Sequence, residues 1–362
     1  MKKFITSESV TEGHPDKVCD KISDKILDTA LSQDKDSKMA VEATIKDNFV
    51  LIYGECTTKA VIDYEKIAKE VIKEIGYTEE FEVLVKVSKQ SSEIFNAVAK
   101  DEICAGDQGI MFGYACDETP ELMPLSISLA NKLTKELASV RRKRNDDILK
   151  PDGKSQVTIE YLDDKPVRVD TIIIATQHKE GATNEELYNI IVPEVIEKVV
   201  PSNLMDENTK ILINTSGSFV VGGPFGDSGT TGRKIVVDTY GGVGKVGGGC
   251  FSSKDPSKVD RSAAYYARFV AKNVVAKKLA RRCEVELAYS IGIAKPISVH
   301  INTFGTELKP IKEIYDYVNN NFSFRVDNII KELDLLRPIY YDLAAYGHFG
   351  RIDLNPTWEQ IK

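Results

Sequence analysis

The chain has 362 residues, of which 42% are hydrophobic and 28% charged, and it carries a formal net charge of −7. This length predicts two or three domains with sizeable cores, so the fold needs no metal or disulfide for its stability. The longest uncharged run, residues 211–226, is broken by Gly, Ser, Asn and Pro and is shorter than the roughly 20 apolar residues of a membrane span, which excludes a transmembrane protein.

The acidic balance argues against a general nucleic-acid binder, because such a protein needs a basic face. The first residues turn polar and charged at once and lack the apolar stretch of a secretory signal. The six cysteines have no CxxC spacing, which argues against a zinc knuckle, a redox dithiol or a disulfide framework. We therefore expect a cytoplasmic protein with reduced thiols and with neither a nucleic-acid nor a membrane partner.

The first hundred residues predict alternating helices and strands. Apolar periodicity indicates a helix from Pro15 to about Ser32, with proline at the favoured first position. The other predicted elements are strands at Met39–Lys46, Asn48–Cys56 and Phe81–Ser88, and a helix at Tyr64–Ile75 that ends at Gly76. The segment Ser91–Gly106 has no clear period and leads into the apolar stretch Ile110–Ala115.

The central part of the chain continues the mixed pattern. A helix is predicted over Pro124–Arg144, and its basic end, Arg141–Arg144, is interpreted as solvated. The following predictions are a turn at Pro151–Lys154, strands at Gln156–Tyr161, Val167–Thr176 and Lys210–Asn214, and a helix pair around Asn184–Lys198. Short turns between strands predict a mixed α/β (α+β) fold with mostly antiparallel sheets covered by helices, not a doubly wound parallel sheet.

Glycine is concentrated near the start of the last third of the chain. Twelve of the 24 glycines lie between Gly217 and Gly249, on either side of a predicted strand at Ile235–Tyr240. Residues 227–261 carry six basic and four acidic side chains, a local excess of positive charge in an acidic chain. Glycines let backbone N–H groups approach an anion, so this region predicts a phosphate site. Simple hairpin glycines remain the alternative.

The phosphate site predicted here belongs to neither common nucleotide-binding motif. GxxxxGK[ST] is absent, and the glycines at 226, 229 and 232 lead into a predicted strand, not a helix. Downstream, Lys254–Arg261 opens a predicted long helix, with Asp255 as its cap and Pro256 in its first turn. Such a helix start attracts anions, and Asp260 is a candidate metal ligand; plain capping is the alternative.

A second constellation precedes the first helix. His14, Asp16 and Lys17 bring an imidazole, a carboxylate and an amine within one turn, suited to a Mg²⁺-phosphate ligand, although a surface cap is an equally probable interpretation. Glu42 and Glu55 lie on predicted strands, where a solvated face is the default, and Asp107 lies on an exposed turn.

Six stretches carry a resemblance to a known family. They are TSESVTEGHPDK (6–17), GDQGIMFGY (106–114), KSQVT (154–158), GDSGTTGRK (226–234), KDPSKVDRS (254–262) and AYGHFGR (345–351). In this order and over nearly the whole chain, they resemble the S-adenosylmethionine synthetases, also called methionine adenosyltransferases. Several matches of nine to twelve residues are far more specific than a lone glycine motif.

The resemblance implies an architecture of three similar α/β domains related by pseudo-threefold symmetry. We expect an N-terminal domain at 1–100, a central domain at 101–221 and a C-terminal domain at 222–362. It also implies a homodimer as the smallest active unit, with each active site built by two chains, and commonly a homotetramer.

The resemblance further implies a reaction in which the methionine sulfur attacks C5′ of ATP and displaces tripolyphosphate, which is then hydrolysed to phosphate and diphosphate. The implied cofactors are Mg²⁺, two per site, and K⁺. The implied catalytic residues are His14, Lys154, Asp227, Lys254 and Lys258. ATP and phosphate ligands are His14, Asp152, Lys154, Ser218, Phe219, Arg233, Lys234, Lys254 and Lys258; methionine ligands are Glu55, Gln90, Asp107, Asp227 and Lys258; metal ligands are Asp16 and Asp260 for Mg²⁺ and Glu42 for K⁺.

The sequence also departs from the family pattern. Ser218 replaces the usual basic residue before the adenine-stacking Phe219, and the gating segment at 91–104 is altered and short. Cys250 and Ser253 replace the usual Ala and Gly, which we regard as tolerable. An alternative hypothesis is therefore a non-catalytic nucleotide- or polyphosphate-binding paralogue or subunit, although the retained Asp16 and Lys258 favour an enzyme.

Overall fold

The computed structural model describes residues 1–90 and 103–362, and the gating segment predicted at 91–104 lies almost wholly outside these residues. The strands are β1 (Lys2–Val10), β2 (Lys38–Lys46), β3 (Phe49–Thr57), β4 (Glu82–Lys89), β5 (Gly109–Cys116), β6 (Leu149–Leu162), β7 (Lys165–His178), β8 (Lys210–Ile213), β9 (Gly229–Thr230), β10 (Arg282–Tyr289) and β11 (Ser298–Asn302).

The helices of the described ranges are α1 (Pro15–Gln33), α2 (Tyr64–Ile75), α3 (Leu125–Lys143), α4 (Asn184–Ile191), α5 (Glu197–Val199), α6 (Ile235–Asp238), α7 (Val259–Ala276), α8 (Ile311–Asn321) and α9 (Val326–Glu332). A π-helical turn, Val192–Ile196, joins α4 to α5, and 3₁₀ turns occupy Ser202–Leu204, Gly223–Phe225, Tyr341–Leu343 and Thr357–Glu359. In the parts of the chain described, no helix is both long enough and apolar enough to cross a bilayer.

Three sheets form the frame, in the strand orders β1-β6-β7-β8, β11-β10-β5 and β4-β3-β2-β9. All pairs are antiparallel except β3 with β4 and β7 with β8. The predicted mixed α/β fold with mostly antiparallel sheets and helices is confirmed.

Each sheet combines strands that are far apart in the chain. β1 pairs with β6 along its whole length, β5 pairs with β10, and β9 pairs with β2. The sheets are therefore interleaved, and the contiguous domain boundaries at 100 and 221 stay predictions.

Local signals explain the helix ends that the sequence predicted well. In α2 the side chain of Asp63 accepts the N–H of Lys66, and Gly76 ends the helix with a left-handed backbone. In α4 Thr183 and Glu186 form a reciprocal capping box. Long-range packing then fixes both helices in place, since their apolar faces lie in the two main hydrophobic clusters.

Two predictions in the central part of the chain are wrong. Residues 151–154 belong to β6 and not to a turn, because a register shift between Leu149 and Gly153 accommodates the proline within the strand. The predicted helix pair around Asn184–Lys198 is one continuous helical stretch, since the π-helical turn joins α4 to α5 without a loop.

Two further corrections concern charged side chains. The predicted strand Ile235–Tyr240 is instead the short helix α6, whose last residue, Asp238, is buried and bonded to Lys17. The basic end of α3 is not simply solvated: Arg141 and Arg142 both turn back onto the buried carboxylate of Glu12. In both cases a partner distant in sequence decides the local structure.

β5 and α7 approach each other closely at Gly113. A methyl group there would lie 1.9 Å from the carbonyl carbon of Ala267, so backbone would have to move. We expect Gly113→Ala to lower the free energy of unfolding in urea by at least about 2 kcal/mol. Gly248→Ala is the control, because a methyl at that position would meet nothing within 4 Å. Equal stability of the two variants would contradict this packing.

Candidate active site

The loop before α1 is fixed from several sides. Thr11 donates its N–H to the carbonyl of Gly153 at 2.9 Å and its hydroxyl to the carbonyl of Pro151 at 2.7 Å. Tyr77 donates its hydroxyl to the carbonyl of Gly13 at 2.6 Å. His14 follows as the N-cap of α1, buried, with Nδ1 accepting the N–H of Asp16 at 3.2 Å. The position of its ring is therefore set by the backbone around it.

The surroundings of His14 keep its ring neutral. The pKa of His14 is lowered from the ordinary 6.5 to about 3, mainly by burial and then by the positive charges of Lys234 and Lys154, which together outweigh the opposing charge of Asp16. Because Nδ1 accepts a hydrogen bond, the single proton of the neutral ring belongs to Nε2. His14 is therefore a neutral hydrogen-bond donor with its donor atom directed away from α1.

Asp16 connects the start of α1 to the glycine-rich region. It accepts the N–H of Thr230 at 2.9 Å and the ammonium of Lys234 at 2.6 Å, while Arg233 approaches to 3.6 Å. Burial by itself would raise the pKa of Asp16, but the bonds from Lys234 and Thr230 outweigh it and hold the pKa below its usual value. The carboxylate is thus ionised and surrounded by positive charge.

A second charged cluster lies at the start of α7. The helix begins at Val259, so the predicted cap at Asp255 is wrong. Asp255 is buried and accepts the N–H of Met39 at 2.8 Å and the ammonium of Lys258. Burial would raise its pKa, but the charges of Lys258 and Lys38 and the hydrogen bonds from Lys258 and Ser257 together lower it to about 2. It therefore ties this segment to β2 instead of capping α7.

The remaining pair of this cluster, Lys254 with Asp260, faces a cavity. The cavity has a volume of about 580 Å³, and it is lined by Gln108–Ile110, Phe112, Gly232, Gly247–Cys250, Lys254 and Asp260. Gly232 immediately precedes Arg233 and Lys234, so the glycine-rich segment connects the two charged clusters. Lys254 lines the cavity itself, and Arg233 and Lys234 follow directly after its lining residue Gly232.

Lys154 and Asp152 lie on β6, and Asp227 lies on the glycine-rich segment. Lys154 is opposite Val10 in the β1–β6 pair, and its charge acts on His14. Asp152 accepts the N–H of Gly223 at 2.8 Å, and burial raises its pKa to about 6. The charge of the exposed Asp227 contributes to that rise. These predicted residues are therefore neighbours of one another.

Phe219 and Ser218 lie on a loop that is fastened to the end of β7. The N–H of Phe219 donates to Nε2 of His178 at 2.9 Å, and the N–H of His178 donates back to the carbonyl of Phe219 at 3.0 Å. Gln177 adds a bond from its amide nitrogen to the carbonyl of Val220 at 3.0 Å. Ser218 is exposed at the edge of this loop.

The predicted methionine ligands are distributed around the Lys254–Asp260 pair. Glu55 is opposite Ala40 in the β2–β3 pair, and Ala40 forms a bridge with Lys254. Gln90 donates its N–H to the carbonyl of Cys56, beside Glu55. Asp107 is exposed in the turn that leads to Gly109 and β5. Among residues 1–90 and 103–362, no hydrogen bond joins Asp107 to Glu55 or Gln90.

Glu42 lies on the same outward face of β2 as Ala40 and accepts a hydrogen bond from Tyr53 at 3.2 Å. Its charge acts on Cys250, which lines the cavity beside Lys254. Within the described ranges no three His, Cys, Asp or Glu side chains converge to hold a metal ion by themselves. Asp16 and Asp260 each offer one carboxylate instead.

Several structural roles were not predicted from the sequence. Asp20 and Asp24 are buried on α1, one and two turns after Asp16, and both bond to segments beyond residue 230. His178 holds the Phe219 loop. The regular spacing of aspartates at 16, 20, 24 and 28 on an amphipathic helix was a visible signal for α1. No local signal distinguished His178.

Comparison with known proteins matches this geometry to one family along the whole chain. The N-terminal, central and C-terminal domain models of S-adenosylmethionine synthetase match residues 2–101, 102–219 and 221–360. The chain belongs to the S-adenosylmethionine synthetase family. It is similar to an S-adenosylmethionine synthase of Sorangium cellulosum (strain So ce56), with 53% identity over 374 aligned positions that cover 99% of this chain and 88% of the relative.

Membership confirms the resemblance and identifies the chain as a methionine adenosyltransferase. This transferase binds ATP and forms S-adenosylmethionine from ATP and L-methionine. The three-domain architecture expected from the sequence agrees with the family.

The depressed pKa of His14 predicts how stability depends on pH. Between the ordinary 6.5 and about 3, the unfolded chain binds a proton at this ring and the folded chain does not. Above pH 6.5 the depressed pKa of His14 therefore has no effect on the free energy of unfolding. Below pH 6.5 it lowers this free energy progressively as the pH decreases. His14→Asn is expected to reduce the slope of unfolding free energy below pH 6.5 by up to about 1.4 kcal/mol per pH unit.

Urea denaturation between pH 7 and pH 5 measures this slope. His300→Asn provides the control, since it also removes an imidazole, but one that is exposed to solvent. An unchanged slope in the His14 variant would contradict a neutral, buried ring.

Proposed function

We propose that the neutral thioether sulfur of methionine attacks C5′ of ATP in line and displaces tripolyphosphate, which the same site then hydrolyses to phosphate and diphosphate. The sulfur needs no general base, so the protein must align it and stabilise the charge that develops on the departing oxygen. The observation that carries this proposal is the neutral His14 beside two clusters of cations.

His14 donates its Nε2 proton to the bridging oxygen as the C5′–O bond breaks. Its Nδ1 bond to the N–H of Asp16 supports this role, because it leaves Nε2 as the donor. A preorganised donor of this kind costs no reorganisation when charge develops. Lys154, whose charge reaches His14, assists at the same oxygen.

The tripolyphosphate is held by Arg233 and Lys234 on one side and by Lys254 and Lys258 on the other. All four cations lie within ion-pair distance of an aspartate, and all except the half-exposed Arg233 have low exposure. Phosphate oxygens would compete for the cations with those aspartates. Their arrangement on two segments around one cavity suits an extended polyanion better than a single phosphate.

The residues present fit two magnesium ions. Mg²⁺ in nucleotide sites usually takes one or two protein carboxylates, with substrate phosphates supplying other ligands. Asp16 and Asp260 each offer one carboxylate next to the proposed phosphate ligands. Bound there, Mg²⁺ would neutralise the phosphate charge, and Glu42 would hold K⁺ on the neighbouring strand.

Methionine and adenosine occupy the two ends of the site. We propose Glu55, Gln90, Asp107, Asp227 and Lys258 as methionine ligands. Phe219 stacks on adenine from a loop held by His178, and Asp152 and Ser218 contact the same nucleotide. Because Ser218 has no charge, we expect the His178 and Gln177 bonds to position this loop in place of the usual basic residue.

The working unit is proposed to be a homodimer, two of which assemble as a homotetramer. β2 and β3 bury one face in the core, while the other face carries Leu51, Tyr53 and the partly exposed Phe49. Leu84, on β4 opposite Leu51, is 54% exposed. An apolar sheet face of this kind favours burial against a second copy.

The same outward face carries Glu42 and Glu55, so a partner sheet would lie against two proposed site residues. This adjacency supports an active site formed by two chains.

Free thiols are carried by Cys19, Cys56, Cys116, Cys250 and Cys283. They fit the cytoplasm, where thiols stay reduced.

The proposed reaction is tested by incubating the protein with ATP, methionine, Mg²⁺ and K⁺. Mass spectrometry should detect S-adenosylmethionine with equal amounts of phosphate and diphosphate. His14→Ala should lower kcat by about 100-fold or more, as expected for the loss of a transition-state hydrogen-bond donor. His300→Ala is the matched control. An unchanged rate in the His14 variant would remove this residue from the mechanism.

ATP binding without any sulfonium product would favour the alternative of a non-catalytic, nucleotide-binding paralogue. Ser218 and residues 91–104 would then be the first positions to restore to the family pattern. Release of tripolyphosphate without its hydrolysis would instead support the first step and contradict the second.

The proposed dimer predicts the effect of a charge on the outward sheet face. Leu84→Asp should shift the protein towards monomers in analytical ultracentrifugation, because an aspartate there would be buried unpaired. Activity should fall in parallel with the dimer fraction. Val61→Asp is the control, since Val61 is 85% exposed and lies outside the sheet. A Leu84→Asp dimer of wild-type stability would contradict this interface.

A further inference from the structure

Lys17 lies in a buried triad beneath the glycine-rich segment. Its ammonium donates to Oδ2 of Asp20 at 2.9 Å and to Asp238, and all three side chains are essentially inaccessible to solvent. The remaining oxygen of Asp20, Oδ1, accepts the N–H of Gly232 at 2.8 Å. Asp20 therefore satisfies two donors at once, one from its own helix and one from the segment that carries Arg233 and Lys234.

The hydrogen bond from the N–H of Gly232 to Asp20 follows directly after the residues that bond to β2. β9 pairs with β2 through Gly229 and Thr230, and Thr231 adds a last bond to the carbonyl of Ala43 at 3.0 Å. Gly232 then turns the chain away from β2 with φ of +82°. Its bond to Asp20 is the first anchor after this turn and directly precedes the two basic residues.

Asp20 differs from Asp16 in what a ligand would do to it. Asp16 is bonded to Lys234 and lies near Arg233, so a bound polyphosphate competes for its partners. Asp20 is bonded to the fully buried Lys17 and to the N–H of Gly232, and that N–H, although Gly232 lines the cavity, is already directed at Asp20. We therefore expect the bonds of Asp20 to persist where those of Asp16 exchange.

We propose that Asp20 is a positioning residue, which holds Gly232 on α1 and thereby sets where Arg233 and Lys234 meet the polyphosphate. This inference rests on the proposed role of Arg233 and Lys234 as tripolyphosphate ligands. Asp20 touches no reacting atom, and it acts through the backbone that precedes the two cations.

The test compares two substitutions in the same triad. In Asp20→Asn one acceptor becomes an amide donor, so the side chain loses either Gly232 or Lys17. In Asp238→Asn the amide oxygen still accepts the single bond from Lys17. Both changes remove one buried negative charge, but only the first breaks the anchor.

Affinity for inorganic tripolyphosphate, measured by calorimetry in MgCl₂, should fall about ten-fold in Asp20→Asn and by less than about three-fold in Asp238→Asn. The KM for methionine should stay near the wild-type value in both. Hydrogen exchange in residues 229–234 should accelerate only in Asp20→Asn. Equal losses in both variants, or unchanged tripolyphosphate affinity in Asp20→Asn, would overturn the proposal.

Two further measurements distinguish the loss of this bond from general destabilisation and from misfolding of the variant. Glu359→Gln removes a buried carboxylate that pairs with Arg268 and Lys272, away from this segment, and it should leave tripolyphosphate binding unchanged. If Asp20→Asn does not fold, the wild-type protein still decides: slow exchange of the Gly232 amide without ligand supports the anchor, and fast exchange overturns it.

The binding measurement is independent of catalysis. A wild-type protein that forms S-adenosylmethionine while Asp20→Asn binds tripolyphosphate normally would overturn only the role of Asp20. A wild-type protein without sulfonium product, in which Asp20→Asn still weakens tripolyphosphate binding, would contradict the proposed reaction and support the anchor.

Discussion

Three carboxylates on one face of α1, spaced by single turns, are buried against the segment between residues 230 and 261. A buried carboxylate is unfavourable unless donors replace its water, so each must find partners. Asp16 takes the N–H of Thr230, Asp20 that of Gly232, and Asp24 that of Ser253 together with the guanidinium of Arg261. The requirement to pair these charges fixes the glycine-rich segment and the start of α7 on one helix.

The same requirement determines the chemistry at the front of α1. Docking the segment brings Lys234 to Asp16, and its positive charge, together with burial, lowers the pKa of His14. An imidazole in this position cannot compete with the lysines for a proton at neutral pH. The proposed site therefore combines fixed cations for phosphate with a neutral donor, and it avoids placing an additional positive charge among them.

Much of the fold followed from local sequence patterns, because α1, α2 and β2 have strong apolar periodicity and clear end signals. The failures have a common physical cause. The run Ile235–Val237 has the β-branched residues of a strand, but burial of Asp238 beside Lys17 favours a helical turn. At Arg141 and Arg142, a partner 129 and 130 positions away replaced water.

In the candidate site, too, local patterns predicted some features and contacts between distant residues determined the others. Motifs identified the residue types, and family resemblance supplied their roles, whereas anchors such as Asp20 depend on contacts across 212 positions of the chain. The glycines are evident in the sequence, but only part of their role was predicted from it. They were interpreted as positions where the backbone approaches a phosphate, but a methyl at Gly229 would lie 2.2 Å from the backbone of Pro15. At least this glycine serves the docking of the segment onto α1.

These observations separate two functions of the glycine-rich segment that a sequence pattern cannot distinguish. Where the segment crosses α1, small residues allow backbone N–H groups to reach buried carboxylates, and this contact is structural. Where it turns away at Gly232 and runs on to line the cavity, the charged side chains become available to a ligand. The position of the cations then depends on the crossing, because the chain has only a few bonds between the last contact with β2 and Lys234. A phosphate site built in this way derives its geometry from one helix, and changes in the buried face of that helix should affect polyphosphate binding before they affect the methionine end of the site.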